Sequence, residues 1–486
     1  MLIILLGRIA QIVLMLALTK VATTLLVPSE FGHLSLITTL ISLFSLVLVN
    51  PVGMFINRRL HGWSDAGTLL VHLRGFAVYL CSVAILSAVI TYAITAFGWM
   101  DAGSRAGWLI GLVSGSVIVT TLNQTYIYAL NMLERRVWFV GLSVATLAIN
   151  LGVSVALVHL LGAHAEYWLG GALTAQAICT VGAALILNRH FIERTLVSGP
   201  WMRFPDRARA FEIFVFAWPV SLAVGLTWVQ AQSYRFFVEA KLGAEQLGLF
   251  VAGYAVSAGI MGAFEAVLMA YFVPEFYRRV SSDSETQQSE AWNLYASAIL
   301  PSLLLTAFFV ALFASPLTKL LLGSRFHDVA VYTMFGAAAE LARTYAGAYG
   351  LIAHARMKTR LLLIPYGLGA VVAVGLVFAL VPTFGLLGVA AALVASSWCG
   401  VLGMHWSMRR QLRISLPFSL TAEALVYAAV LALLAWGSTF ISIDSSIGLF
   451  ISVKAFLTVG LAGLAYLGFQ YRLLRRPISQ LKVGRA

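Results

Sequence analysis

Long apolar runs, broken at short intervals by small polar clusters, fill nearly the whole chain. A helix needs about 20 mostly apolar residues to cross the hydrocarbon core of a bilayer. Cutting the chain at its charged and Gly/Pro-rich breaks yields fourteen runs of that kind. Six occupy 2–27, 31–56, 71–97, 106–129, 137–161 and 167–188. Six more occupy 210–240, 247–273, 290–321, 328–353, 361–381 and 385–408, and two follow at 417–441 and 447–472. The pattern predicts an all-α polytopic membrane protein with about 14 transmembrane helices. The first run is too long for a signal-peptide core and lacks a basic leader and a small-residue cleavage site, so it reads as a retained span.

Composition strengthens this reading. Of 486 residues, 60% are hydrophobic and 10% are charged, against about 25% charged in a soluble domain. Cys81, Cys179 and Cys399 all fall inside apolar runs, which makes them small core residues, not metal ligands or disulfide partners.

The net charge of +13 would suggest nucleic acid in a soluble protein, but its placement gives another cause. With the N-terminus put in the cytoplasm, 22 Lys and Arg residues fall in loops on the inner side and 4 on the outer side: Arg105, Lys241, Lys319 and Arg325. Cytoplasmic loops of membrane proteins are enriched in Lys and Arg. A missed span would invert the asymmetry from that point on. Both termini are therefore expected in the cytoplasm, and nucleic acid is not an expected partner.

Phrases recur along the chain. "LVPSEFGHL" at 26–34 precedes the second span, and "LGAEQLGLF" at 242–250 precedes the eighth, an offset of 216. "LLGAHAEYWLGGALTA" at 160–175 and "LVPTFGLLGVAAALVA" at 380–395 pair at an offset of 218. "ALNMLERRVWF" at 129–139 and "GLIAHARMKTR" at 350–360 have similar contexts. Spans 1–6 and 7–12 thus read as two parallel six-helix copies, an arrangement that places a substrate path at the repeat interface. The expected organisation is an N-terminal lobe at 1–190, a basic cytoplasmic linker at 191–209, a second lobe at 210–412, and two extra helices with a basic tail at 413–486.

The stretches "LVPSEFGHLSLITTLISLF", "LGAEQLGLFVAGYAVSAGIMGAFEAVLMAYFVPEF" and "VPTFGLLGVAAALVAS" resemble the polysaccharide-transporter family. This family holds the Wzx-type O-antigen flippases, within the superfamily of MATE transporters and the lipid II flippase MurJ. The resemblance covers nearly the whole chain. It implies two six-helix lobes in a V shape plus two C-terminal helices in the bacterial inner membrane. It also implies translocation of undecaprenyl-pyrophosphate-linked oligosaccharide, with membrane lipids, a polysaccharide polymerase and chain-length proteins as partners.

Charges at span depth cost about 2.5–3.5 kcal/mol each on insertion scales, so they rarely face lipid. Lys20 and Arg8 lie in span 1, Arg235 in span 7 and Arg343 in span 10. At the 216 offset Arg235 corresponds to Thr19, beside Lys20, so each lobe puts a cation at nearly one depth of its first helix. These four cations suit the pyrophosphate that the resemblance implies. Snorkelling to an interface is the competing reading for Lys20, Arg8 and Arg235, and a self-neutralising pair with Glu340 is the competing reading for Arg343. Glu265 and Glu340 are candidate ion-coupling groups, with structural burial as the alternative. Asn123, Gln124, Gln232 and Tyr234 offer weaker sugar-binding chemistry.

The chain has no GxxxxGK[ST] phosphate loop, no HExxH and no Cys/His cluster, so neither cofactor, metal site nor catalytic residue is expected. The outer loops, about 3–9 residues each, are too short for the catalytic loops of a membrane polymerase or ligase. A peptidoglycan-precursor flippase and a MATE-type antiporter remain the open alternatives to a lipid-linked oligosaccharide flippase.

Overall fold

The computed structural model describes residues 2–97, 106–192, 207–280, 284–440, 446–447 and 451–483. The expected linker at 191–209 and the outer Arg105 fall largely outside them. The helices in the first half are α1 (Leu2–Leu25), α2 (Pro28–Phe44), α3 (Asn50–Asp65), α4 (Leu69–Ala96), α5 (Ala106–Met132), α6 (Arg136–Leu161), α7 (Ala165–Ile192) and α8 (Arg207–Gln232). Those in the second half are α9 (Tyr234–Leu242), α10 (Ala244–Val280), α11 (Glu285–Leu312), α12 (Ala314–Leu321), α13 (Ala330–Ala355), α14 (Leu363–Met408), α15 (Phe418–Thr439) and α16 (Val453–Val483). A π turn (Ser45–Val49) carries α2 into α3, and a two-residue antiparallel pair, Ser446–Ile447 with Ile451–Ser452, precedes α16.

Helix is what the solvent dictates. Hydrocarbon offers no hydrogen bonds, so each segment has to satisfy its own backbone. Two buried threonine hydroxyls follow the same rule. Thr39 donates to the Ser35 carbonyl at 2.7 Å, and Thr306 to the Ser302 carbonyl at 2.8 Å.

Eleven helical stretches among the described residues are long and apolar enough to span. One of them, Thr359–Met408, counts twice. Gly385 at its middle has φ 55° and ψ −133°, a conformation open to glycine alone at little cost. Ser407 Oγ donates to the Leu361 carbonyl at 3.4 Å, and a Cβ on Gly403 would lie 3.3 Å from Pro365 Cα. A Cβ on Gly388 would lie 2.6 Å from the Leu380 carbonyl oxygen. All three pairs are symmetric about Phe384, so α14 is an antiparallel helical hairpin. Helices α5 and α13, of 27 and 26 residues, have the length but carry Asn123 and Gln124, or Glu340 and Arg343, which lower their apolarity. Counting them gives the fourteen spans that the pattern predicts.

Pairing directions check this count independently. The chain divides into two compact units: unit 1 holds 1–228 with 243–245, and unit 2 holds 229–242 with 246–486. In unit 1, Trp228 Nε1 donates to Ser42 Oγ at 2.9 Å, Gly225 faces Val47, Phe216 tilts on Phe55 at 5.8 Å, and Glu212 pairs with Arg59. The partners ascend in α2–α3 and descend in α8, so the second and seventh spans are antiparallel, as alternation requires. In unit 2, Thr333 Oγ1 donates to the Gly253 carbonyl at 2.8 Å, and Arg343 pairs with Glu265. The eighth and tenth spans therefore run parallel. Thr306 meets Tyr466 at 2.9 Å and Gln470 Nε2 donates to the Ser302 carbonyl at 2.8 Å, which sets the ninth and fourteenth antiparallel.

The unit boundary cuts span 7 itself, not the loop before it where the second lobe was expected to begin. Helix α8 packs in unit 1 up to Trp228, whereas α9 packs on α14 in unit 2, with Phe237 and Phe378 ring centroids 4.4 Å apart. The break between α8 and α9 at Ser233 lies at this crossing.

The repeat is visible in how the helices end. Helices α2 and α10 start at Pro28 and Ala244, the offset of 216 expected from sequence. Further along, Glu134 (φ 62°) and Met357 (φ 55°) both terminate helices in the left-handed conformation. In each, the next N–H reaches back five residues, Arg135 to the Leu130 carbonyl at 2.8 Å and Lys358 to the Ala353 carbonyl at 2.9 Å. The following hairpins turn at Gly162 and Gly385, again with positive φ. Both pairs are offset by 223. The phrase pairing at 218 is therefore displaced by five residues. Leu-Gly phrases in an apolar helix match in several registers, whereas a positive-φ turn residue has only one.

The α1–α2 turn of unit 1 is tied to the start of α7. Glu30 Oε2 accepts the Ala165 N–H at 2.9 Å, at the start of α7, and Glu30 Oε1 lies 3.0 Å from His164 Nδ1. The carboxylate thus caps a helix N-terminus, where negative charge is favoured. Glu30→Ala is expected to destabilise the protein by about 1–3 kcal/mol, the cost of stripping a buried donor of its partner, with Glu30→Gln milder. Thermal unfolding in detergent reads this, and an unchanged midpoint for the alanine variant would refute the cap.

Candidate functional site

The densest buried chemistry lies in unit 2, where two glycines let α10 and α13 come close. A Cβ on Gly253 would lie 2.8 Å from the Val329 carbonyl oxygen, and one on Gly336 would lie 2.2 Å from Ser257 Oγ. That approach brings a chain of four side chains together. Tyr254 O–H donates to Glu340 Oε1 at 2.8 Å, Arg343 Nε donates to Glu340 Oε2 at 2.6 Å, and Arg343 Nη2 donates to Glu265 Oε2 at 2.7 Å. Arg343 lies halfway along the 26-residue α13, about 20 Å from its start at 1.5 Å per residue.

The charges do not balance. One guanidinium faces two carboxylates, and the Glu340 and Glu265 side chains are only 7% and 17% exposed. With both acids ionised the cluster carries net charge −1. It is neutral when it takes up one proton or one monovalent cation. This cluster joins two of the ion-coupling candidates, Glu265 and Glu340, to Arg343. Arg343 is paired within its own unit, by the neighbour expected from the i,i+3 spacing and by a second acid from another helix.

The other cations sit elsewhere. Lys20 lies five residues before the end of α1, and Arg235 lies seven before the end of α9, about 8 and 10 Å of helix rise. Each is half-buried and lies toward the turn that follows its helix, α1–α2 or α9–α10. The match in depth expected from the 216 offset holds, because the two turns keep that offset. Arg235 also lies with its guanidinium 5.8 Å from the Tyr234 ring centroid. Arg8 is exposed on α1, donating to Gln11 Oε1 at 3.1 Å.

Among the sugar-binding candidates, two are used for packing. Asn123 is buried and donates its amide to the Gln176 carbonyl at 3.1 Å, while Thr120 donates to Gln176 Oε1 at 2.7 Å, so that α5 is clamped to α7. Tyr234 is 3% exposed and meets Phe250 edge-on at 5.4 Å. Gln124 is exposed. Gln232 keeps a buried amide oxygen with no hydrogen-bond partner among the described residues, one turn from Arg235. Tyr254, Gln176 and His164 were not expected from sequence. Their partners lie 86, 53 and 134 residues away, and no local signal marks them.

A family model described as "Polysaccharide biosynthesis protein" matches residues 21–331. No curated protein matches the sequence. Among solved structures, the lipid II flippase MurJ in an inward-closed conformation superposes with a TM-score of 0.61 at 13% identity, covering 98% of this chain and 99% of that one. An inward-facing multidrug resistance MATE family transporter of the MOP superfamily gives 0.60 at 15% identity, over 82% and 94%. A Vibrio cholerae MATE transporter gives 0.54 at 13% identity, over 84% and 94%. At such identities the likeness is one of fold.

Proposed function

We infer that this chain, which belongs to the polysaccharide biosynthesis protein family and has the helical fold of MurJ and the MATE transporters, is a flippase for lipid-linked oligosaccharide. Its proposed substrate is an undecaprenyl-pyrophosphate-linked glycan, moved from the inner to the outer leaflet of the bacterial cytoplasmic membrane for O-antigen, capsule or exopolysaccharide assembly. The single observation that carries this reading is the family match over 21–331. Lys20 and Arg235, five and seven residues before the ends of α1 and α9, are the proposed phosphate-engaging cations, with Arg8 as an accessory. The strong excess of basic residues in alternate loops supports cytoplasmic termini.

Transport proceeds by alternating access, driven by an ion gradient through the Glu265–Arg343–Glu340 cluster. Binding a proton or cation neutralises this cluster, and releasing it restores the unbalanced charge. A ligand that changes a buried charge in this way shifts the balance between two conformations by its differential affinity for them. The excess carboxylate also favours a second reading, a MATE-type cation antiporter.

Deleting the gene tests both. The flippase reading expects lipid-linked oligosaccharide to accumulate on the inner leaflet while surface glycan is lost, with restoration by the plasmid-borne gene. Unchanged surface glycan together with raised sensitivity to cationic drugs would replace it with the antiporter reading.

A further inference from the structure

One end of unit 2 is rich in exposed cations, and five of them, in two loops, have no carboxylate partner among the described residues. Lys358 and Arg360 stand in the turn before α14, and Arg409, Arg410 and Arg413 follow its end. The nearby Arg278, Arg279 and Arg356 are answered. Glu275 holds Arg278 and Arg279 at 2.7 and 2.8 Å, and Glu285 lies 3.9 Å from Arg356. Arg472 and Arg475 of α16 are exposed without a carboxylate partner as well, and the two loops hold five more such charges among the described residues.

Those loops form one built surface. Lys358 Nζ donates to Gln411 Oε1 at 3.2 Å, and the two arms of α14 meet through Ser407 and the Leu361 carbonyl. The strap leaving α14 alternates. Leu412, Ile414 and Leu416 pack into the unit 2 core, while Arg413 and Ser415 are exposed. Asn293 of α11 grips the strap from below, accepting the Ser415 N–H at 2.8 Å and donating to the Arg413 carbonyl at 3.4 Å. The Arg413 N–H donates to Ser289 Oγ at 3.2 Å. The period-two pattern and these three bonds fix the backbone, so Arg413 is held outward.

Apolar groups surround the cations. Met357 is 72% exposed and Phe418 is 74% exposed. The Arg410 guanidinium carbon lies 3.8 Å from the centroid of the Trp406 ring, a cation–π contact that keeps the charge beside a half-exposed indole. Apolar side chains that reach hydrocarbon, next to cations left at phosphate level, match the chemistry of a lipid headgroup region. A soluble phosphate would gain nothing from the apolar rim.

We propose that this end of unit 2 binds the headgroup of an anionic phospholipid, with Lys358, Arg360, Arg409, Arg410 and Arg413 engaging its phosphates and Trp406 lying against its glycerol and upper acyl carbons. Cations at a membrane surface are drawn to anionic lipid, so five on one fixed surface select a polyanionic headgroup.

The test uses the full-length protein in nanodiscs of phosphatidylcholine, with and without cardiolipin. Cardiolipin is expected to raise the melting temperature of the wild type, as a ligand specific for the folded state does. The five-site variant Lys358→Gln, Arg360→Gln, Arg409→Gln, Arg410→Gln, Arg413→Gln is expected to lose at least half of that rise. Lys319→Gln with Arg325→Gln, at the opposite end of α13, is expected to keep it. No rise in the wild type, or a full rise in the five-site variant, overturns the proposal. A rise reproduced by inorganic pyrophosphate in phosphatidylcholine alone also overturns it, because the ligand would then be a soluble phosphate. Should the five-site variant fail to fold, Arg409→Gln with Arg410→Gln replaces it: a reduced rise supports the site and an undiminished rise refutes it.

Discussion

Cells carrying Lys20→Ala or Arg235→Ala, with the protein at its normal level in the membrane, are expected to export surface glycan about 10- to 100-fold more slowly. A hydrogen bond to a charged group is worth about 1.5–3 kcal/mol, and each 1.4 kcal/mol is a factor of ten. Each residue lies about 8–10 Å from its helix end, and the proposed role is to meet a pyrophosphate there. Lys20→Arg should keep most export, because it keeps the charge. Arg235→Lys should keep less, since a bidentate phosphate contact is lost. Export is read as surface glycan against lipid-linked precursor in the same cells. Wild-type export by both alanine variants would remove these residues from the site and leave snorkelling as their explanation.

Replacing Arg343 by alanine is expected to destabilise unit 2 by about 3 kcal/mol. Removing one partner of a buried ion pair costs about 3–5 kcal/mol, because the other charge is stranded. The Arg343 side chain is 48% exposed, which places the cost at the lower end. Two carboxylates are stranded here, so the loss should be largely recovered when Glu265→Gln and Glu340→Gln are added to Arg343→Met. That triple variant separates structure from coupling. If the cluster carries the coupling ion, the refolded triple variant transports without response to the ion gradient. Stability recovered together with gradient-dependent transport would reduce the cluster to a structural pin. A wild-type melting temperature for Arg343→Ala alone would show that these ion pairs contribute nothing to stability.

Much of the fold was legible before any coordinates. Span number and alternation followed from the apolar runs and the basic loops, because a bilayer forces about 20 apolar residues and a closed backbone on every crossing. The α1–α2 and α9–α10 turns kept the offset of 216, and so the matched depths of Lys20 and Arg235 were readable. Glu340 and Arg343, one turn apart on one helix, were readable as a pair. The offset of 218 was not reliable, since "LG" phrases recur in any apolar helix. The turn at Gly385 could not be placed either, because an apolar run of 50 residues does not say at which glycine it folds back.

The sequence by itself determined about how many spans this chain has and which charges lie within them. Those are local properties, fixed by the free energy of each segment in hydrocarbon. Only the tertiary structure decided what each charge meets. Glu265 and Tyr254 join Glu340 and Arg343 across 78 and 86 residues, Glu30 reaches His164 across 134, and α8 belongs to the first compact unit while α9 belongs to the second. Such choices depend on which helix faces approach closely enough, at glycines such as Gly253 and Gly336, for buried polar groups to find partners. Lipid matches an apolar helix face nearly as well as another helix does, so hydrophobic pattern alone leaves those pairings open.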